Sequence, residues 1–217
     1  MKVLLVADAH GRYTWIPHLV HDAGSVDVSV IAGDLTNFGP PMLAARLIGM
    51  LPAPVLAVGG NCDPPEVHHT IERAGGVCVH ATLHTLDDVV FMGVGGSNPT
   101  PFSTPFELPE EKIGSILTSL MEKAEEMGGT RVLVSHAPPY GVLDEVGGTH
   151  VGSRAVAALL GRVDAILCGH IHEARGIERV QGTLVVNPGP AFNAMAALVW
   201  VGDGVRAELM EVEGHDS

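Results

Sequence analysis

Seven residues in this chain have the types and spacing that bind metal ions. Asp8 and His10 stand as Asp-x-His, Asp34 follows Gly33, Asn61 follows Gly60, His136 stands alone, and His170 and His172 form Gly-His-Ile-His. Carboxylate, amide oxygen and imidazole are the donors that suit borderline or hard divalent ions such as Mn, Fe, Zn or Ni. In extended backbone, histidines at i and i+2 point to the same side, because side chains alternate with period two. Each residue also has an ordinary reading. His-x-His can be a surface turn, Asp34 and Asn61 can be turn residues after glycine, and His136 can cap a strand.

The elements that must position these residues change that balance. Val3 to Ala7, Val26 to Ala32 and Pro54 to Val58 read as unbroken aliphatic runs, the pattern of buried parallel strands. Each ends in one of the motifs: Asp8-x-His10, Gly33-Asp34, Gly60-Asn61. Arg131 to Ser135 ends in His136, and the run Val163 to Cys168 ends in Gly169-His170-Ile171-His172. Five strand ends therefore each deliver a ligand type, at the edge of an open α/β sheet where ligands bind. Seven donors suffice for two ions that share one bridging carboxylate.

Helical segments are expected at Arg12 to Ala23, after Pro40-Pro41, after Asp63-Pro64-Pro65-Glu66, at Pro109 to Met127 and at Ser153 to Leu160. Asp63 reads as the N-cap of the third, with Glu66 in the capping-box position. Short strands are expected at Gly76 to His80, Thr82 to Leu86 and Val89 to Val94. The C-terminal part reads as a run of antiparallel strands: Gly176 to Val180, Thr183 to Val186, Ala194 to Val201 and Val205 to Val212. No linker, repeat or low-complexity tract interrupts the chain, so residues 1–217 are expected to form one α/β domain. The Pro/Ser/Thr-rich stretch 95–106 is either a binding loop over the site or a rigid surface connection.

Composition bounds the function. The chain has 217 residues, enough for a core that needs no staple. Its formal charge is -13, from 12 Lys+Arg against 25 Asp+Glu. Such a surface repels a phosphate backbone at long range, which disfavours nucleic acid as partner. A bound metal pair can still reverse the field locally and admit a small phosphate ester. Three cysteines (Cys62, Cys78, Cys168) without a Cys-x-x-Cys fit a reduced, cytoplasmic setting. No apolar stretch approaches the roughly 18 residues of a membrane span. A homo-oligomer is left open.

The ordered set Asp8-x-His10, Gly33-Asp34, Gly60-Asn61, His136 and Gly169-His170-x-His172 resembles the calcineurin-like metallophosphoesterase superfamily, over nearly the whole chain. The pieces Gly33-Asp34-Leu35-Thr36-Asn37-Phe38-Gly39 and Gly95-Gly96-Ser97-Asn98-Pro99-Thr100-Pro101-Phe102 are similar to the small Icc-type phosphoesterases of prokaryotes. The resemblance implies a four-layer sandwich of two mixed β-sheets flanked by α-helices. It implies one metal at Asp8, His10, Asp34 and His172, and another at Asp34, Asn61, His136 and His170, with Asp34 bridging. Asp34, Asn61 and His136 would carry the catalysis of phosphodiester or activated phosphomonoester hydrolysis. The attacking group would be a bridging hydroxide between ions roughly 3.5–4 Å apart, with no protein nucleophile. The same resemblance leaves a nuclease or a non-catalytic metal-binding scaffold as alternatives.

One position departs from many relatives, where histidine often follows the Asn; here it is Cys62. A thiol is a weaker donor than imidazolium, so esters with good leaving groups are expected to be preferred. Cys62 could equally be a small packing residue. Further substrate-binding candidates are His150, Arg154 and Arg12. Ser153 and Arg154 open a helix after a glycine-rich loop, a natural anion seat, or else a plain N-cap with a solvated arginine. His18, His21, His68, His69, His80, His84 and His215 match no ligand pattern and are read as surface or packing residues.

Overall fold

A computed structural model describes residues 1–212; His215 lies outside the described residues. The strands are β1 (Lys2–Val6), β2 (Val28–Ala32), β3 (Val55–Val58), β4 (Val77–Cys78), β5 (Leu83–Leu86), β6 (Val89–Val94), β7 (Thr130–Ser135), β8 (Glu145–Val146), β9 (Thr149–His150), β10 (Ala165–Leu167), β11 (Gly176–Val180), β12 (Thr183–Asn187), β13 (Met195–Gly202) and β14 (Gly204–Glu211). The helices are α1 (Ile16–Ala23), α2 (Met42–Ile48), α3 (Val67–Arg73), α4 (Glu110–Met127) and α5 (Arg154–Ala157).

Two six-stranded sheets result. One runs β14-β13-β1-β2-β3-β4 and the other β11-β12-β10-β7-β6-β5. Strands β1 to β4 are mutually parallel, as are β6, β7, β10 and β12. Aliphatic runs made this arrangement. A strand such as Val28–Ala32 is buried at every position, so it must be covered on both faces. Between the sheets pack Leu5, Val30, Leu56, Phe91, Val134 and Leu167, among others. The outer face of the first sheet packs on α1, α2 and α3 through Ile16, Leu19, Leu47 and Ile71. That of the second packs on α4 and α5 through Ile113, Leu117, Met121 and Val156. The layers are helix, sheet, sheet, helix, and this is the mixed α/β sandwich expected.

The expected C-terminal run of antiparallel strands is corrected. It is two hairpins that part company: β11 and β12 join the second sheet, with β12 parallel to β10, while β13 and β14 join the first, with β13 antiparallel to β1. Helix starts also move inward. Helix α1 begins at Ile16 rather than Arg12, and α3 at Val67 with Glu66 as an N-cap that makes no side-chain bond. Among the described residues no helix is long and apolar enough to cross a membrane.

Candidate metal centre

The expected donors meet where the parallel strands of both sheets end. Donor atoms of Asp8, His10 and His172 lie within 4.8 Å of one another, as do those of Asp8, Asp34 and His136. The Asp34 carboxylate lies 3.4 Å from His10 Nε2 and 3.5 Å from His136 Nε2. His172 Nε2 is 3.6 Å from Asp8 Oδ1 and 3.4 Å from His10 Nε2. Asn61 turns its Oδ1 to His136 Nε2 at 2.9 Å, and the rings of His136 and His170 sit edge to face at 5.0 Å. All seven residues are brought together.

Backbone strain is concentrated here. Asp8, His10, Asp34 and His170 all have positive φ, four of the eleven non-glycine residues that do among those described. Such conformations are held only where surrounding bonds over-determine them. Those bonds lace the strand ends together: Asp8 N–H donates to Gly33 O at 3.1 Å, His10 N–H to Asp34 O at 2.8 Å, and His170 N–H to the Asp8 carboxylate at 3.0 Å. A Cβ on Gly60 would overlap the Asp34 carboxylate, and one on Gly33 would overlap the His136 ring. Glycine before the donor is thus a packing requirement at both places.

The expected route by which His170 and His172 converge is corrected. The segment is not extended: His170 has φ of 72° and His172 opens a 3-10 turn. A tight turn, tied down by Asn187 Nδ2–H donating to Ile171 O at 2.8 Å, aims the two rings. His136 is oriented from behind, with Nδ1 2.8 Å from Ala32 O, so Nδ1 carries the hydrogen and Nε2 faces the cluster.

Charge explains what the cluster is built for. Asp8 and Asp34 are buried, and so is His136. Burial opposes ionisation of Asp34, yet His136, His10 and the Cys62 N–H outweigh it and hold its pKa far below the usual carboxylate range. Burial would lower His136, but the nearby Asp34 charge outweighs it and raises it to about 9. Burial lowers His170 to about 4, with the charge of His136 acting in the same direction. Buried carboxylates surrounded by imidazole nitrogens at 3.4 to 3.6 Å form an electron-rich cage. These spacings are long for hydrogen bonds and suit donors flanking a cation, so the residues present fit divalent metal.

Three residues beyond the donors hold the cage. Asp63 is fully buried and accepts from Leu35 N–H, Thr36 N–H, Thr36 Oγ1–H and Gly60 N–H at 2.7 to 2.9 Å. It is a tether between the turns after β2 and β3, not the helix cap its local sequence suggests. Burial and the nearby Asp34 charge push its pKa up to about 6. Thr104 accepts from Asn61 Nδ2–H at 3.0 Å, leaving Oδ1 for the cage. Glu107 in turn accepts from Thr104 N–H, Thr104 Oγ1–H and Thr100 Oγ1–H. Burial works against it, but those bonds bring Glu107 down to about 2. The 95–106 stretch is therefore pinned at its base, by Gly96 N–H to Gly59 O and Phe106 N–H to Asn61 O, and exposed at its tip.

The substrate-binding candidates divide. Cys62 Sγ lies within 4.8 Å of donor atoms of His10 and Asp34, and burial, then the Asp34 charge, raises its pKa and keeps it a thiol. His150 and Arg154 line a cavity beside the cage that also includes His170. His150 Nδ1 is paired to Asp144 Oδ1 at 2.6 Å. Arg12 sits elsewhere, its guanidinium 3.6 Å over the Phe192 ring, which itself abuts His10 and His172. The expected anion seat at the start of α5 is already filled: Glu110 accepts from Ser153 Oγ–H and from the Arg154 and Ala155 N–H groups. Tyr140, which lines the same cavity as Phe102, carries no periodic or motif signal in the sequence, whereas Phe102 ends the Gly95–Phe102 piece that carries the resemblance.

A two-sheet sandwich whose strand ends gather imidazoles and carboxylates defines a metallophosphoesterase-type protein. A family model described as the calcineurin-like phosphoesterase superfamily domain matches residues 1–199, and the chain belongs to that superfamily. An uncharacterized protein of Methanocaldococcus jannaschii, MJ1162, is 33% identical over 201 residues, 88% of each chain. Among solved structures, TT1561 of Thermus thermophilus matches with TM-score 0.74 at 19% identity, over 98% of this chain and 99% of that one. A dimetal phosphatase from Danio rerio matches with TM-score 0.62 at 11% identity, over 97% and 98%. A novel archaeal phosphodiesterase matches with TM-score 0.55 at 16% identity, over 97% and 100%. At these identities the structural likenesses speak for the fold.

Proposed function

We propose that the protein is a metal-dependent hydrolase of phosphodiesters and activated phosphomonoesters. What carries the reading is the convergence of seven donors from five strand ends around one buried carboxylate, Asp34. In this reading Asp8, His10, Asp34 and His172 hold one divalent ion, and Asp34, Asn61, His136 and His170 the other, Mn, Fe, Zn and Ni being the metals that suit them. When bound, such a pair lowers the pKa of a water it shares and neutralises phosphoryl oxygens during in-line displacement.

The chain's own part is positioning. The Ala32 carbonyl fixes the tautomer of His136, Thr104 turns the Asn61 oxygen inward, and Asp63 keeps the turns bearing Asp34 and Asn61 in register. Cys62, a neutral thiol beside Asp34, offers only a weak hydrogen bond to a departing oxygen. Esters whose leaving group needs no proton, aryl esters above all, are therefore the favoured substrates. The acidic surface fits a small ester better than a nucleic-acid strand. Residues 1–217 are read as one domain, since the inter-sheet core draws on β1 and β13 alike, and the three free cysteines fit a reduced, cytoplasmic setting.

Turnover of bis(p-nitrophenyl) phosphate with added Mn tests the reading. Asp34→Ala and His136→Ala are each expected to lower it by more than about 100-fold, beyond the loss typical for outer-shell partners of a metal. In the same panel, alkyl monoesters should be cleaved far more slowly than aryl ones. Equal rates on both would remove the role given to Cys62. Failure with every metal on mono- and diesters alike would leave a metal-binding scaffold in place of an enzyme.

A further inference from the structure

The cavity beside the cage has a volume of about 640 Å³, inside the range of about 300–1,000 Å³ typical of small-ligand sites. His170 and Ile171 contribute to its lining, so it opens onto the proposed metal centre. Among the described residues eight large hydrophobic side chains are exposed, and four of them, Phe102, Tyr140, Val146 and Val151, line this one cavity. Scattered exposed hydrophobics need no explanation, but their gathering around one concavity marks a surface that expects a ligand. Phe102 is 80% exposed, on a tip flanked by Pro99 and Pro101 whose base is hydrogen-bonded into the fold.

The lining also carries planar groups and one guanidinium, beside the carboxylates of Glu110 and Glu173. The Arg154 guanidinium lies 4.2 Å over the Tyr140 ring. The His150 ring, held by Asp144, stands 5.6 Å from the same tyrosine. Among the described residues the Arg154 guanidinium enters no ion pair, unlike Arg162, Arg175 and Arg206. Glu110, which also lines the cavity, spends its carboxylate on the start of α5. Aromatic faces and a stacked guanidinium favour a planar π-system over a saturated ring or chain of similar size.

We propose that this cavity seats a planar aromatic group carried by the phosphate ester, against Phe102 and Tyr140, with Arg154 at its edge. The inference rests on the phosphoesterase reading for the chemistry of the ester and narrows its substrates to aryl or nucleoside phosphoesters. Both sources present a planar ring, joined to phosphate directly in an aryl ester and through a ribose in a nucleoside ester.

Calorimetric titration of the full chain with phenyl phosphate, cyclohexyl phosphate, adenosine 5′-monophosphate and inorganic phosphate tests it without turnover. Phenyl phosphate should bind about tenfold more tightly than cyclohexyl phosphate, the scale of a stacking contribution. Phe102→Ala and Tyr140→Ala should each remove most of that preference while leaving the affinity for inorganic phosphate unchanged. Tighter binding of the nucleotide than of phenyl phosphate selects the nucleoside source, and the reverse selects the aryl one. Equal binding of phenyl and cyclohexyl phosphate, or a preference that survives both substitutions, overturns the inference. Turnover of methyl p-nitrophenyl phosphate is scored separately. Turnover without aromatic preference removes the cavity inference alone, whereas preference without turnover of any ester removes the phosphoesterase reading and keeps the cavity.

Discussion

In the cage, Asp8, Asp34 and His136 have lost contact with water, and strained backbone is fastened by hydrogen bonds between strand ends. In the adjoining cavity, Phe102 and Tyr140 are exposed to solvent on loops. The difference separates two tasks. Metal chemistry tolerates little positional error, so its donors sit on the most rigid part of the fold. Selection of an ester group tolerates loop variation, so its walls lie where substitution leaves the core untouched.

The largest effect that would sharpen this comparison lies at Asp63, which belongs to the rigid side although it touches no metal in the proposed arrangement. Asp63→Ala strands four buried donors on two turns, those of Leu35, Thr36 and Gly60. Loss of outer-shell partners lowers metal affinity or activity by about 10–100-fold, and that loss is expected here together with a lower melting temperature. Asp63→Asn, which keeps one acceptor oxygen, should fall between. Unchanged metal affinity and melting temperature in Asp63→Ala would break the division between a rigid cage and its soft rim.

A smaller effect is expected at Thr104, where the two regions meet. Thr104→Val keeps the shape and deletes the hydroxyl between Asn61 and Glu107. Freed, the Asn61 amide can rotate, and turnover should drop by about tenfold, the low end for an outer-shell partner, with little change in melting. Thr104→Ser restores the hydroxyl and should restore the rate. A Thr104→Ser variant as slow as Thr104→Val would mean that packing of the methyl, not orientation of Asn61, is what Thr104 supplies.

The same division explains what is legible in the sequence. The seven candidate donors can be read because each follows an aliphatic run that reads as a buried strand; that their strand ends lie on two facing sheets, β1, β2 and β3 on one and β7 and β10 on the other, is not legible from those runs. The role of Asp63 is hidden because Asp-Pro-Pro-Glu satisfies the local grammar of a helix start, while its four donors come from two turns, one at Leu35 and Thr36 and the other at Gly60, far apart in sequence. The parting of the two C-terminal hairpins is hidden for a similar reason: each hairpin is local, but its sheet is chosen by pairing with β10 or β1. Phe102 and Tyr140 lie in segments with no periodicity, so only the folded surface shows them facing one cavity. The pairing of His170 with His172 is legible but its cause is not, since a turn rather than strand alternation joins them.

The smallest expected effect tests the seam beneath the loop. His68 stacks on His80 with ring centroids 4.6 Å apart, and Phe106 closes the group edge-on at 5.2 Å from His68. His80 Nδ1 accepts from Gly95 N–H at 2.9 Å, so the pair supports the start of the loop. His68 Nε2 is buried and has no partner among the described residues. Burial, then the charges of His80 and His69, lowers His68 from 6.5 to about 4 against the pull of Glu72, and burial with Lys112 lowers His80. In the unfolded chain His68 takes its proton near 6.5, whereas in the fold it resists until about 4. The stability this contributes is complete above pH 6.5 and is lost as pH falls through that window. The wild-type melting temperature should therefore fall more steeply than that of His68→Leu across the window, by about 2–4 °C for each kcal/mol of stability lost in a chain of this size. Parallel curves would show that His68 is protonated as readily in the fold as outside it, and would place the seam with the soft rim instead of the core.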